Sequence, residues 1–468
     1  MSQHTDAHGP EGAQGGSAGT PRRSRLRQAA KLRPLLGSTL AVTAVTAFAR
    51  LNGGVREVLI AREFGTARSL ETFLVAFAIV SVAIDAVVGG LPSSLIPTFH
   101  RRRGGDRMPK VLGAVLPGLA AVAVGLAVAM ALAAPVLAKV VAGGFGGSDQ
   151  HRVQGVIVIL APTIAFGLAA TVASSCLQEQ GRFVFATLPS VANPLAAIAV
   201  LILTEEPRST TLAWAFCAGY AAELVVAASL AALRGVRVSF PGRSELDAAR
   251  SDRRLFFREL WSIAIGLLAL SSMTVSDQAV ATHLDDGDVA ILNFGIRIPG
   301  FLSAVGVTAI GMVVLPQFSR LVGERDWATL RASMRTKARL VFGATALGAL
   351  VLSVASVPIV DLVFGRGAFT DADVADAAAV QVVAAWMVPF SVLGVVYARL
   401  LSARHRNRAI MVVSLGVAVL NLVFDLVLGP WLGAPGLALS TTLASATMCI
   451  VFGTLARWSI PSPTVVPA

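Results

Sequence analysis

Three arginines stand inside stretches that are otherwise apolar. Arg50 and Arg56 flank Gly53-Gly54 in the run ARLNGGVREVLIAREFG, residues 49–65, and Arg297 lies in a similar stretch far along the chain. Guanidinium forks suit phosphate oxygens bidentately, so three arginines brought together make a site for a phosphate-bearing anion. A second set consists of Asp277, Asn421, Asp425 and Thr441. Asn421 and Asp425 are i, i+4 and share one helix face. With Asp277 and the Thr441 hydroxyl they are hard oxygen ligands suited to a small cation, but with too few anionic groups for a tight calcium cage. The alternative for this set is plain interhelical hydrogen bonding, which Asn and Thr often supply in membranes. Glu71, Asp85 and Glu223 are further ionisable residues within apolar runs.

The elements that must carry these side chains are membrane-spanning helices. Of 468 residues, 55% are hydrophobic and only 14% charged, and the mean hydropathy is +0.72. Apolar runs of 18 or more residues recur from about residue 34 onward, which predicts an all-α polytopic membrane protein with about 12 spans. The net charge of +12 does not mark a nucleic-acid binder, because the basic residues fall in short clusters between apolar runs without interleaved aromatics. The three cysteines, Cys176, Cys217 and Cys449, all lie in apolar stretches and have neither disulfide-framework nor zinc spacing.

Charge distribution fixes an expected orientation. With the N-terminus inside, 30 of the 39 Lys and Arg fall on the cytoplasmic side and six outside, while Arg50, Arg56 and Arg297 are left within spans. That bias over short loops places both termini in the cytoplasm. Residues 1–33 read as a disordered cytoplasmic tail. A six-helix lobe over 34–233, a cytoplasmic linker at 234–258, a second six-helix lobe over 259–457 and a tail at 458–468 follow. The halves echo one another: Ile96-Pro97-Thr98-Phe99 ends span two, Leu315-Pro316-Gln317-Phe318 ends span eight, and Asn193 has a rough counterpart in Asn421. Even-numbered repeats share one orientation, so a pseudo-twofold axis along the membrane normal is expected, an architecture found in transporters.

An ionisable group at mid-bilayer depth costs about 2.5–3.5 kcal/mol on insertion scales, so each of these residues is a functional candidate. Arg50 and Arg56 are about 240° apart on an ideal helix. A kink or local unwinding at Gly53-Gly54 would turn both toward one hydrated cavity. The alternative pairs Arg50 with Glu57 at i+7 and lets Arg56 snorkel outward. For Arg297 the alternative is a salt bridge to Asp277. Two other motifs are read as structural. Asp285-Asp286-Gly287-Asp288 is expected to be a solvated turn, and Gly143-Gly144-Phe145-Gly146-Gly147 a flexible loop with no Lys-Ser/Thr pair behind it to make a phosphate cradle.

The run from Arg50 to Gly65, followed by Glu71-Thr-Phe-Leu-Val-Ala-Phe77, resembles the N-terminal signature of the MurJ/MviN lipid II flippases, within the multidrug/oligosaccharidyl-lipid/polysaccharide exporter superfamily. Cys176-Leu-Gln-Glu-Gln-Gly-Arg182-Phe183, Arg297 with Leu315-Pro316, Phe364-Gly-Arg-Gly-Ala-Phe369 and Gly436-Leu-Ala-Leu-Ser440-Thr441 extend the likeness over nearly the whole chain. The resemblance implies an alternating-access flippase of the inner membrane, not an enzyme, that moves a polyprenyl-pyrophosphate-linked oligosaccharide, lipid II foremost, in peptidoglycan biosynthesis. It implies that Arg50, Arg56 and Arg297, with Glu71 where the family usually has Asp, face the substrate. It also implies that Asp277, Asn421, Asp425 and Thr441 hold a sodium ion as coupling ion, with no other cofactor. Membrane lipids and cell-wall synthesis proteins are the partners it implies. The family usually has fourteen spans where this sequence reads as twelve, and it has paired arginines in span two near where this sequence has Ile84-Asp85. Another lipid-linked polysaccharide as cargo, a drug/cation antiporter, and a membrane-embedded glycan-synthesis enzyme or scaffold are the alternative readings.

Overall fold

A computed structural model of the chain describes residues 21–92, 94–95, 108–204, 208–236 and 250–461. The helices in chain order are α1 (Pro21–Phe64), α2 (Arg68–Val88), α3 (Met108–Val141), α4 (Gly147–Leu160), α5 (Pro162–Glu179), α6 (Phe183–Thr187), α7 (Pro189–Leu203) and α8 (Ser209–Leu233). The second half contains α9 (Arg250–Ala281), α10 (Asp288–Gly323), α11 (Trp327–Val354), α12 (Ser356–Phe364), α13 (Asp371–Ala384), α14 (Met387–Ala403), α15 (Asn407–Leu432) and α16 (Ala434–Ser459). No strand occurs among the described residues.

Eleven stretches of described residues are long and apolar enough to cross a membrane, and the 44-residue α1 precedes them. Some spans are two helices in series. Pro162 opens α5 and Pro189 opens α7, where the missing N–H of proline falls among donors that are orphaned anyway and its ring blocks a straight continuation from the preceding helix. Apolar side chains face outward, with Leu132 77% and Leu203 82% exposed. In hydrocarbon that surface carries no penalty, and only helices satisfy every backbone group there.

The packing repeats between the halves. The hairpin α7–α8 in the first corresponds to α15–α16 in the second, and α1 packs on α7 as α9 packs on α15. Two helical lobes result, with the main seam between them formed by α2 and α9. The repeat motif at Pro97 lies outside the described residues, as do most of the linker and the outer parts of both tails.

Apolar packing distinguishes the two ends of the seam. At the end carrying the α9–α10 turn, one cluster runs through both lobes, joining Phe64, Leu70 and Phe73 to Val280, Phe294, Phe364 and Phe369. At the other end the cores are separate. One unites α2, α3 and α5 with Phe256 and Leu260 of α9, and another lies wholly among α10, α11, α14 and α16. The lobes are therefore joined most broadly at one face, the one whose loops the sequence predicts to be external, while at the other end α9 still packs on the first-lobe core through Phe256, Leu260 and Ala264.

Polar contacts reinforce the joined face. Ala368 N–H donates to the Arg62 carbonyl at 2.8 Å, and Thr66 Oγ1 donates to Asp373 at 3.0 Å. The glycine run expected as a flexible loop is packed instead: Gly144 N–H donates to Thr282 Oγ1 at 3.3 Å, and a Cβ at Gly144 would run into the Thr282 carbonyl. Overpacking of this kind costs about 1–3 kcal/mol. Gly144→Val is expected to lower the thermal unfolding midpoint of the purified protein, whereas Gly146→Val, with open space around its Cβ, is expected to leave it unchanged. Equal midpoints for the two variants would refute the close approach.

Candidate functional site

The arginines of the sequence reading meet a carboxylate that it gave only to an alternative pairing. Glu57 Oε1 accepts from Arg56 Nη2 at 3.1 Å, while its Oε2 is bonded to Arg297 Nη2. Arg56 comes from α1 in the first lobe and Arg297 from α10 in the second, so Glu57 links the lobes. Phe73 and Phe216 pack at 4.9 Å between ring centroids beside this group, and the Arg56 guanidinium lies 4.2 Å from the Phe216 centroid. Such a desolvated cation–π contact, together with the Glu57 carboxylate, compensates a charge that hydrocarbon would otherwise exclude. Arg56 Nε is buried without a hydrogen-bond partner. This group borders a cavity of about 60 Å³, also lined by Phe77, Asn293 and Phe294. That is room for a few waters beside the arginines.

Arg50 stands apart from this group. It is exposed, with its guanidinium 5.8 Å from the ring of Phe301 on α10. The expected unwinding between the two arginines is absent, because α1 is one continuous helix through Gly53 and Gly54. The physical reason is that the two guanidiniums have different partners on different sides of the helix, so no break is needed to satisfy both. Nor does Arg297 pair with Asp277; its carboxylate partner is Glu57.

Glu71 lies at the joined face, away from Arg50, Arg56 and Arg297. It is fully buried, accepts from Gly287 N–H at 3.0 Å and Val289 N–H at 3.1 Å, and pairs with Arg68 at 2.9 Å. A carboxylate from α2 thus takes up the orphaned donors at the start of α10, where the helix dipole favours negative charge. Gly287, at φ +96°, turns the chain so that those donors point at Glu71. Arg68 also binds Asp286 and lies 4.4 Å from the Phe145 centroid. The acidic turn expected to be merely solvated is therefore one side of this clasp. Lower on the seam, Ser271 Oγ donates to Asp85 at 3.0 Å.

Asp277, Asn421, Asp425 and Thr441 are brought together. Asn421 Nδ2 donates to Asp277 Oδ1 at 2.8 Å and to Asp425 Oδ2 at 2.9 Å, and Thr441 Oγ1 donates to Asp277 Oδ2 at 3.0 Å. Two serines complete the group: Ser276 Oγ reaches Asp425 Oδ2 at 3.0 Å, and Ser440 Oγ bonds its Oδ1. Ser440 lay in a motif quoted from the sequence, and Ser276 adjoins Asp277, but a hydroxyl in a membrane helix is too common to single out. All but Ser276 and Thr441 are buried. Among the described residues, no Lys or Arg forms an ion pair with either carboxylate. Two carboxylates this close cannot both stay ionised in a low-dielectric setting without a proton or a cation. Six side chains bearing acidic, amide or hydroxyl oxygens gathered here suit a small hard cation. In the first lobe, Asn193 Nδ2 donates to Glu223 at 3.0 Å, a smaller pair between α7 and α8.

A family model described as "Lipid II flippase MurJ" matches residues 60–463. The chain is 25% identical over 427 residues to "Lipid II flippase MurJ" of Burkholderia cenocepacia, covering 87% of this chain and 80% of that protein. It is 24% identical over 407 residues to "Probable lipid II flippase MurJ" of Thermotoga maritima, covering 87% and 82%. Among solved structures, "Lipid II flippase MurJ, inward closed conformation" is similar with a TM-score of 0.71 and 18% identity, over 89% of this chain and 87% of that one. An inward-facing multidrug resistance MATE family transporter of the MOP superfamily is similar with a TM-score of 0.75 and 16% identity, over 88% and 94%.

The Glu57 bridge makes a measurable claim. A double-mutant cycle of Glu57→Gln and Arg297→Gln, read by unfolding of the purified protein, is expected to give a coupling of about 1–3 kcal/mol, intermediate because Arg297 is partly exposed. A coupling near zero would mean that the two side chains do not bear on one another.

Proposed function

The chain belongs to the lipid II flippase MurJ family, and from that premise we propose that it carries a polyprenyl-pyrophosphate-linked glycan, lipid II foremost, to the outer leaflet by alternating access. It is a multi-span membrane transporter rather than an enzyme. The observation that carries the reading is the convergence of Arg56 and Arg297, from opposite lobes, on the single carboxylate of Glu57.

A pyrophosphate offers the same arginines more anionic oxygens than Glu57 does, in the bidentate geometry that guanidinium prefers. Its arrival displaces Glu57, replaces the interlobe pair with bonds to cargo, and removes one tie holding the lobes in register. Arg50, exposed beside Phe301, meets the headgroup first. At Gly53 and Gly54 no other part of the protein lies within 4 Å of where a Cβ would stand, the local helix backbone apart. That openness supports their use as a hinge when α1 must follow one lobe. Glu71 contributes through the closure of the joined face, releasing α10 when that face opens.

The bias of 30 basic residues to one side supports an orientation with both termini in the cytoplasm. The separated cores then face the cytoplasm, where the cargo is made, and the joined face closes the outer side. The lobes are taken as 34–233 and 259–457, with the linker 234–258 between them. Asp277, Asn421, Asp425 and Thr441, with Ser276 and Ser440, would take sodium as coupling ion. A cation there draws α9 toward α15 and α16 and so favours one lobe arrangement over the other. A drug/cation antiporter is the second reading, supported by the likeness in fold to MATE transporters. The paired arginines oppose a cationic cargo.

Reconstitution with fluorescent lipid-linked substrate and a leaflet-resolved readout tests both parts. Arg50→Ala, Arg56→Ala and Arg297→Ala are each expected to reduce translocation about tenfold or more, the loss of a charged hydrogen bond. Intact translocation in all three variants would remove the anion site. Asp425→Asn is expected to abolish the sodium dependence of transport; a wild-type rate indifferent to sodium would remove the coupling.

A further inference from the structure

The second lobe carries a basic groove that the transport cycle described above does not use. Arg331, Arg335 and Arg339 are spaced i, i+4, i+8 on α11, so they line one face over about 12 Å of helix. Arg457, on the last turn of α16, faces them. Two adjoining cavities of about 400 and 320 Å³ lie between these helices and share Met334, Arg335 and Arg457. Arg331 donates to the Pro461 carbonyl, which holds the end of α16 against α11. The apolar part of the lining is Met334, Ala338, Phe342 and Leu393, continuing toward the hydrocarbon as α11 loses its charges.

Among the described residues, no carboxylate lies within ion-pair distance of these four arginines. The nearest acid in sequence, Asp326, is engaged in capping α11, accepting from Thr329 N–H at 3.0 Å. Trp458, next to Arg457, is 80% exposed, the position that an indole takes at the headgroup level of a bilayer. An exposed indole at that point fits a groove at the depth of lipid phosphates, with cations at its mouth and an apolar floor leading inward.

We propose that this groove binds an anionic phospholipid of the cytoplasmic leaflet, its phosphate among Arg331, Arg335, Arg339 and Arg457 and an acyl chain along Met334 and Phe342. Basic residues at a cytoplasmic interface are expected from topology alone. Their convergence from two helices on a cavity with an apolar floor is not. The leaflet named here rests on the orientation proposed above; the binding itself does not.

Native mass spectrometry of the full-length protein, offered equal amounts of phosphatidylglycerol and phosphatidylcholine, tests it. Wild type is expected to retain phosphatidylglycerol about fivefold or more over phosphatidylcholine, and Arg335→Gln with Arg457→Gln to lose about tenfold or more of that retention. Arg406→Gln with Arg408→Gln removes the same charge from the same end of the lobe without touching the groove, and is expected to change it less than about twofold. Millimolar inorganic pyrophosphate is expected not to displace the lipid. Equal retention of the two lipids by wild type, equal losses in the two variant pairs, or displacement by pyrophosphate would each overturn the site. The wild-type comparison decides even where the groove variants do not fold. Labelling of Trp458→Cys in intact cells reads the orientation separately, so failure of that assignment and failure of the binding site are distinguishable.

Discussion

The structure turns on a carboxylate shared by two guanidiniums across the lobe boundary. Hydrocarbon tolerates Arg56 and Arg297 only when their charge is answered, and Glu57 answers both. The aromatic rings around it follow from the same constraint, since Phe216 covers the guanidinium face that Glu57 cannot reach. An internal anion in this place keeps the two arginines from being left bare in this arrangement. On the reading proposed above, an anionic cargo would have to compete with this covalently tethered carboxylate for the same arginines.

The fold was largely legible in the sequence, because the length and hydropathy of each span are one-dimensional quantities. Of the repeat, Asn193 and Asn421 do fall on corresponding helices, α7 and α15, while the proline correspondence at Pro97 lies outside the described residues. The polar group around Asp277 was legible in part: Asn421 and Asp425 share a helix face by spacing alone, and Asp277 and Thr441 do meet them. Ser276 and Ser440 were not singled out, since hydroxyls in membrane helices carry no distinguishing pattern.

Where the reading departed from the structure, the cause was the partner rather than the residue. The six-residue interval between Arg50 and Arg56 implied either a broken helix or divergent partners, and helical geometry alone could not choose. The structure has divergent partners, Phe301 and Glu57, on an unbroken α1. Glu71 was grouped with the arginines by resemblance, yet it meets the first turn of a helix more than 200 residues away. No local pattern encodes such a pairing.

That pairing gives lobe separation a particular character. Glu71 is wholly buried while it holds the start of α10, so parting the lobes exposes a carboxylate and the backbone donors it had satisfied, and all of them must acquire solvent at once. The movement is therefore a hydration reaction as much as a rotation, and its equilibrium depends on the activity of water at the membrane surface. Solutes excluded from a narrowing cleft hold the joined face shut by the same physics that stabilises compact proteins.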